Sequence, residues 1–258
     1  MSDFDRNVAS FPGAARTVAI DAGLRAHMIR VYNYMVLGLA ITGLAALGVY
    51  TLSVTTDPSL AVVKVRNIML TQVGYTLFVS PLKWAVIFAP LALVFFLSFR
   101  IQNMRPATAQ LTYWIYAALV GVSLGSIFLI YTHTSIVRVF FITAASFGAL
   151  SLWGYTTNRD LTGMGSFLIM GLFGIIIASL VNIFLVSSMM QWIISVVGVL
   201  IFAGLTAYDT QRLKNEYVHG AMDGEAMERS AIMGALALYL DFLNLFTMLL
   251  QLLGSRDE

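Results

Sequence analysis

Long apolar runs dominate this chain. Seven stand out, at about 31–53, 82–99, 109–130, 136–155, 167–187, 191–210 and 231–253. Each is about 18–23 residues long, which is what a helix rising about 1.5 Å per residue needs to cross a hydrocarbon layer of about 30 Å. Inside a bilayer the backbone must bond to itself, so only helices or closed barrels span it. Barrel strands alternate every second residue, and these runs do not. The pattern predicts an all-α integral membrane protein, a bundle of seven transmembrane helices.

The polar segments between the runs set the organisation. Short connections at 100–105, 131–135, 156–166 and 187–190 make successive helices antiparallel. No linker divides the chain, so residues 30–254 read as one membrane domain. Two connections are longer. One spans 55–81, with Asp57-Pro58 near its start; the other spans 211–230 and is the most charged stretch. Residues 1–29 read as a polar N-terminal tail. The first apolar run begins too late and runs too long for a cleavable signal. Residues 255–258 form a short C-terminal tail.

Composition sharpens this. The chain is 59% hydrophobic and 11% charged, against roughly a quarter charged in soluble domains, and its partner is therefore a lipid bilayer. A net charge of +2 gives no case for nucleic acid. With no cysteine there is no disulfide, thiolate metal site or cysteine nucleophile. His27, His133 and His219 lie outside the apolar runs or at their edges, which argues against a buried histidine metal cluster. Nothing calls for a bound cofactor. Ten of the fifteen Lys and Arg fall on the N-terminal side of the alternating spans, which predicts a cytoplasmic N-terminus. Seven spans then put the C-terminus outside.

The chemistry concentrates in LYLDFLNLF, residues 238–246. Asp241 sits near the middle of an otherwise uncharged run, where a carboxylate costs about 2.5 kcal/mol or more. Gly234, Ala237, Asp241, Asn244, Met248 and Gln251 recur every three or four residues. That stripe turns Asp241 toward protein or a water-filled cavity. Its candidate partners are few: Asp209 in TAYDTQR, Asn182, and Arg100 at the end of the second span. Asn244 is a supporting polar group. From the residues alone, Asp241 is either a structural hydrogen-bonding group or half of a titrating pair. Arg100 is either an interfacial anchor or a partner that holds one carboxylate charged. Two carboxyls close together in low dielectric share a proton rather than both ionise. Protonated, such a pair is a hydrogen bond between helices. Deprotonated, it is a repulsion and an oxygen-rich site for a hard cation such as Ca²⁺.

Intramembrane catalysis fits poorly. Ser166 has no histidine beside it inside a span, and the last run has no lysine for a Schiff base. Paired aspartates alone do not supply a substrate gate, so the chain reads as no enzyme.

The same segments carry a family resemblance. TAYDTQ at 206–211 and ALYLDFLNLFTMLLQLLG at 237–254 resemble the two signature segments of the Bax inhibitor family, in its bacterial branch. SFRIQNMRPATA at 98–109 and YAALVGVSLGSIF at 116–128 are similar to further family segments. The resemblance implies seven helices with the C-terminal helix central and the other six around it, in a bacterial cytoplasmic (inner) membrane. It implies a calcium leak governed by pH through an aspartate dyad, matched here by Asp209 and Asp241, with Ca²⁺ as a transient ligand and transported ion. Arg100 resembles a latch for the dyad. The family is also linked to suppression of cell death and, in bacteria, to restraint of a membrane-bound protease. The alternative is thus a non-conducting regulator that binds a protease or stress-response partner. The 211–230 connection is longer than in the simplest bacterial members; its Asp223, Glu225 and Glu228 form either a weak cation-recruiting patch or an ordinary solvated loop. Oligomeric state is open, because the Gly121/Gly125 GxxxG serves packing within a chain or between chains.

Overall fold

The computed structural model describes residues 12–65, 68–219 and 224–256, with side chains from residue 22 onward except at His219. Among the described residues seven long helices follow one another: α1 (Pro12–Ser53), α2 (Lys83–Arg100), α3 (Pro106–Leu124), α4 (His133–Thr156), α5 (Thr162–Leu185), α6 (Ser188–His219) and α7 (Gly224–Leu253). Each holds a stretch long and apolar enough to cross a membrane. The all-α seven-helix bundle expected from the apolar runs is the observed fold.

The helices outrun the apolar runs. The connection at 211–230, read from the sequence as a loop, is mostly helix: α6 continues to His219 and α7 begins at Gly224. Its charged residues support the helix by pairing along it. Arg212 reaches Asp209 at 3.0 Å and Glu216 at 3.2 Å, and Arg229 reaches Glu225 at 3.4 Å, all at i,i+3 or i,i+4 spacing. Hydropathy marks only the membrane-crossing part of such a helix. The same holds for α1. Of the expected tail at 1–29, the described residues from Pro12 onward are helical, and Leu24 and Met28 are already buried.

The connection at 55–81 holds a sheet that periodicity did not reveal. Strands β1 (Val54–Thr55), β2 (Val63–Val65) and β3 (Ile68–Leu70) pair antiparallel in the order β1-β3-β2, with Leu70 opposite both Val54 and Val63. A short helical turn follows, with the Thr71 side chain accepting from Gly74 N–H. This end of the bundle is called the sheet end. The opposite end carries Arg25, Arg105, Arg159 and Lys214 and is called the basic end.

Helix α7 is the core, with 44% of its apolar window buried, the largest share of any span. Successive side chains on a helix point about 100° apart. Tyr239, Asp241 and Phe242 therefore leave α7 in three directions. Tyr239 meets Tyr113 and Tyr116 of α3 edge-on, and its hydroxyl lies 2.6 Å from Thr42 Oγ1 of α1. Phe242 packs on Phe140 and Phe147 of α4. Asp241 faces α6. Leu236 and Leu250, off the small-polar stripe, are buried too, because protein surrounds α7 on several sides. It packs broadly against α1, α3, α4 and α6. Helices α2 and α5 stand outside, on α3 and α6, so four neighbours form the main ring rather than six. The GxxxG motif works within the chain: a Cβ at Gly121 would strike the Thr42 carbonyl and Ala45 of α1.

Candidate functional site

The register of α6 against α7 decides what faces Asp241. Leu213 fills the space over Gly234, and Met248 fills the space over Gly198. These two contacts flank the site and hold the antiparallel pair in one alignment. Asp209 is thereby level with Leu238, about one turn from Asp241 along the axis. The two carboxyls come together as neighbours between the helices. Both are buried, Asp241 at 5% exposure and Asp209 at 9%.

The surroundings are asymmetric. Asp209 Oδ1 takes the Arg212 guanidinium at 3.0 Å, and the Arg212 side chain is 42% exposed. Asp209 thus connects toward the basic end. Oδ2 of Asp241 has no donor on it. Its facing group, another carboxyl, is also an acceptor unless one of the two carries a proton. A buried acceptor set against an acceptor calls for a shared proton or a cation between the helices.

Hydroxyls flank the pair. Thr210 Oγ1 lies 2.8 Å from Ser151 Oγ of α4, which lies 2.6 Å from Tyr32 Oη of α1. On the other side of Asp209, Gln211 accepts the Leu161 N–H at 2.9 Å and donates to Arg159 O at 2.7 Å, tying α6 to the α4–α5 turn. Lys214 donates to Tyr155 O at 2.9 Å. In TAYDTQRLK every polar residue past Tyr208 has an inter-helix or ion-pair partner.

Other expected residues lie elsewhere. Arg100 is exposed at the end of α2 and forms no ion pair among the described residues; the arginine on the dyad is Arg212, one turn past Asp209. That i,i+3 spacing was visible in the sequence, but Arg212 sits outside the apolar run and was assigned to a loop. Asn244 donates to Leu240 O at 2.8 Å within α7. Asn182 belongs to a separate cluster at the sheet end, described below. Glu225 pairs with Arg229, and Glu228 accepts from Tyr34 Oη at 3.4 Å. Asp223 lies outside the described residues, and no cluster of three metal-ligating side chains occurs among those described. His27 is buried against the ring of Tyr217, 5.2 Å between centroids.

The sheet-end cluster joins α5, α6 and α7. Asn182 Nδ2 donates to Gln191 Oε1 at 3.2 Å, and its Oδ1 accepts the Ser187 N–H at 3.0 Å. Gln191 Nε2 donates to Gln251 Oε1, which also accepts from Ser195 Oγ at 2.7 Å. It lies about ten residues from Asp241 along α7, too far to take part in the dyad.

Comparison with known proteins finds relatives along nearly the whole chain. The family described as "Inhibitor of apoptosis-promoting Bax1" matches residues 24–258. An uncharacterized protein of Caulobacter vibrioides is 46% identical over 260 residues, covering 100% of both chains. One from Rickettsia prowazekii is 43% identical over 260 residues, again covering 100% of both. The inner membrane protein YbhL of Escherichia coli is 42% identical over 248 residues, covering 95% of this chain and 98% of its own. With seven membrane-length helices and these relatives along nearly its whole length, the chain is a multi-pass membrane protein and belongs to the Bax inhibitor family.

Proposed function

We propose that the protein is a pH-sensitive cation leak, with Ca²⁺ as cargo, gated by Asp209 and Asp241. One observation carries the reading: two buried carboxyls from adjacent helices face each other, and no donor reaches Asp241 Oδ2. With a shared proton the pair is a neutral-plus-anion hydrogen bond that joins α6 to α7. Without it, two negative charges meet in low dielectric and their oxygens suit a hard cation. Cation occupancy therefore rises as the proton leaves, because the ligating oxygens must be free of it. Arg212 offsets part of the charge on Asp209 and sits between the pair and the basic end. Membership of the family and the name of the Escherichia coli relative favour an inner membrane, and the clustering of Arg and Lys at one end favours a cytoplasmic basic end and N-terminus.

The test is Ca²⁺ entry into dye-loaded liposomes holding purified protein, at about pH 6 and about pH 8, both above the range of an ordinary carboxyl. A flux that changes with pH, and loses that change in Asp241→Asn, is the expected result. No protein-dependent flux at either pH would overturn the leak and move the reading to a non-conducting regulator of a membrane-bound partner such as a protease.

A further inference from the structure

The ring around α7 is open between α1 and α4. These helices touch near the basic end, where Tyr32 and Ser151 bond. Elsewhere they do not pack broadly, and a groove of about 1170 Å³ runs between them from Arg25 to Leu47 on α1. Val36, Leu44, Phe140 and Leu152 line its sides and are exposed, and Phe242 of α7 is part of its floor. Gly43 and Gly148 face one another's helices across open space: a Cβ at either would meet no atom within 4 Å.

Its polar groups gather at one end. Arg25 is exposed there and has no ion pair among the described residues. Tyr155 closes that mouth, with Lys214 Nζ 5.5 Å from its ring centroid. The rest of the groove is apolar. Arg25 to Leu47 spans about 33 Å of helix, close to a hydrocarbon thickness of about 30 Å. Apolar walls over a hydrocarbon thickness, with an exposed cation at the basic mouth, suit acyl chains whose headgroup carries an anion.

We propose that the α1–α4 groove binds an anionic phospholipid, its acyl chains along the apolar walls and its phosphate at Arg25 and Lys214. The site stands independently of the leak reading, although the lipid would lie against Phe242, the neighbour of Asp241, and against Ser151, which bonds Thr210.

Native mass spectrometry of the purified full chain tests this, with phosphatidylglycerol and phosphatidylcholine offered separately. Wild type should retain one phosphatidylglycerol at least about fivefold better than phosphatidylcholine, and Arg25→Gln should lose about fivefold, the worth of one basic contact at a membrane surface. Gly148→Leu, which enters open space, should retain neither lipid while its lipid-free melting temperature stays that of wild type. Arg25 is exposed, so its variant reads binding rather than folding. Equal retention of the two lipids by wild type, or unchanged retention in both variants, overturns the proposal. So does a polypeptide, or a second copy of this chain, that occupies the groove in place of lipid and is displaced by Gly148→Leu.

Discussion

Two polar clusters tie α6 to α7, and they differ in whether their groups match. At the sheet end, Asn182, Gln191, Ser195 and Gln251 alternate donors with acceptors. No group there has to gain or lose a proton. Toward the basic end, Asp209 and Asp241 set acceptor against acceptor. On the proposed function, the polar tie between these helices needs no proton at the sheet end, and needs a proton or a cation at the other. A polar cluster inside a membrane protein is structural when its donors balance its acceptors, and conditional when they do not.

Asp241→Asn breaks this contrast most directly. The new amide supplies a donor to the Asp209 carboxylate, so the pair bonds without a shared proton. All of the change in cation flux between about pH 6 and about pH 8 should vanish. The melting temperature should also become the same at both values. A variant that keeps the wild-type pH response would show that the titrating group lies elsewhere.

The opposite cluster should respond in the other way. Asn182→Leu leaves the Ser187 N–H without its acceptor and removes the donor to Gln191. Both bonds are part-buried, so the cost falls at the low end of the range for a fully buried unsatisfied group, about 1–3 kcal/mol. Thermal unfolding in detergent should report a loss of that size, equal at acid and neutral pH, with the pH response of flux intact. A loss that depends on pH would erase the distinction between the clusters.

Much of this was legible in the chain. Seven spans, the small-polar stripe through Asp241 and the Asp209 segment all follow from hydropathy and helical spacing. Their juxtaposition does not. It depends on Leu213 seating over Gly234 and Met248 over Gly198, contacts between residues of no special character. Arg212 was misread for a different reason: it lies past the apolar run, on a helix that continues into polar sequence through its own ion pairs. Arg100 had the right charge at the right kind of position, but α2 stands outside the ring around α7. The sheet at β1–β3 was hidden because strands of two or three residues are too short to show a period of two.

Arg212→Gln sharpens the asymmetry of the dyad at smaller cost. The guanidinium is substantially exposed and shared with Glu216, so solvent screens it and the stability change should stay below about 1 kcal/mol. The pH midpoint of flux should move nonetheless, because the nearest charge to the pair is gone. An unmoved midpoint would detach Arg212 from the gate.

The smallest effect comes from an aspartate outside the membrane, and it provides the control. Asp160 Oδ1 accepts the Thr162 N–H at 2.9 Å at the start of α5, and with the Thr162 side chain this holds the carboxyl below its usual range. A carboxylate near a helix N-terminus also complements the helix dipole. The folded protein therefore prefers the charged form. That contribution is present above the unfolded value of about 3.9 and is lost as pH falls through the lower folded value. Asp160→Asn keeps an acceptor but not the charge, so its melting temperature should fall slightly short of wild type at about pH 5 and above, and the gap should close below about pH 4. A gap that opened or closed between about pH 6 and about pH 8 instead would mean that exposed carboxyls contribute in the window assigned to the dyad. Closure confined to strong acid leaves that window to the buried pair.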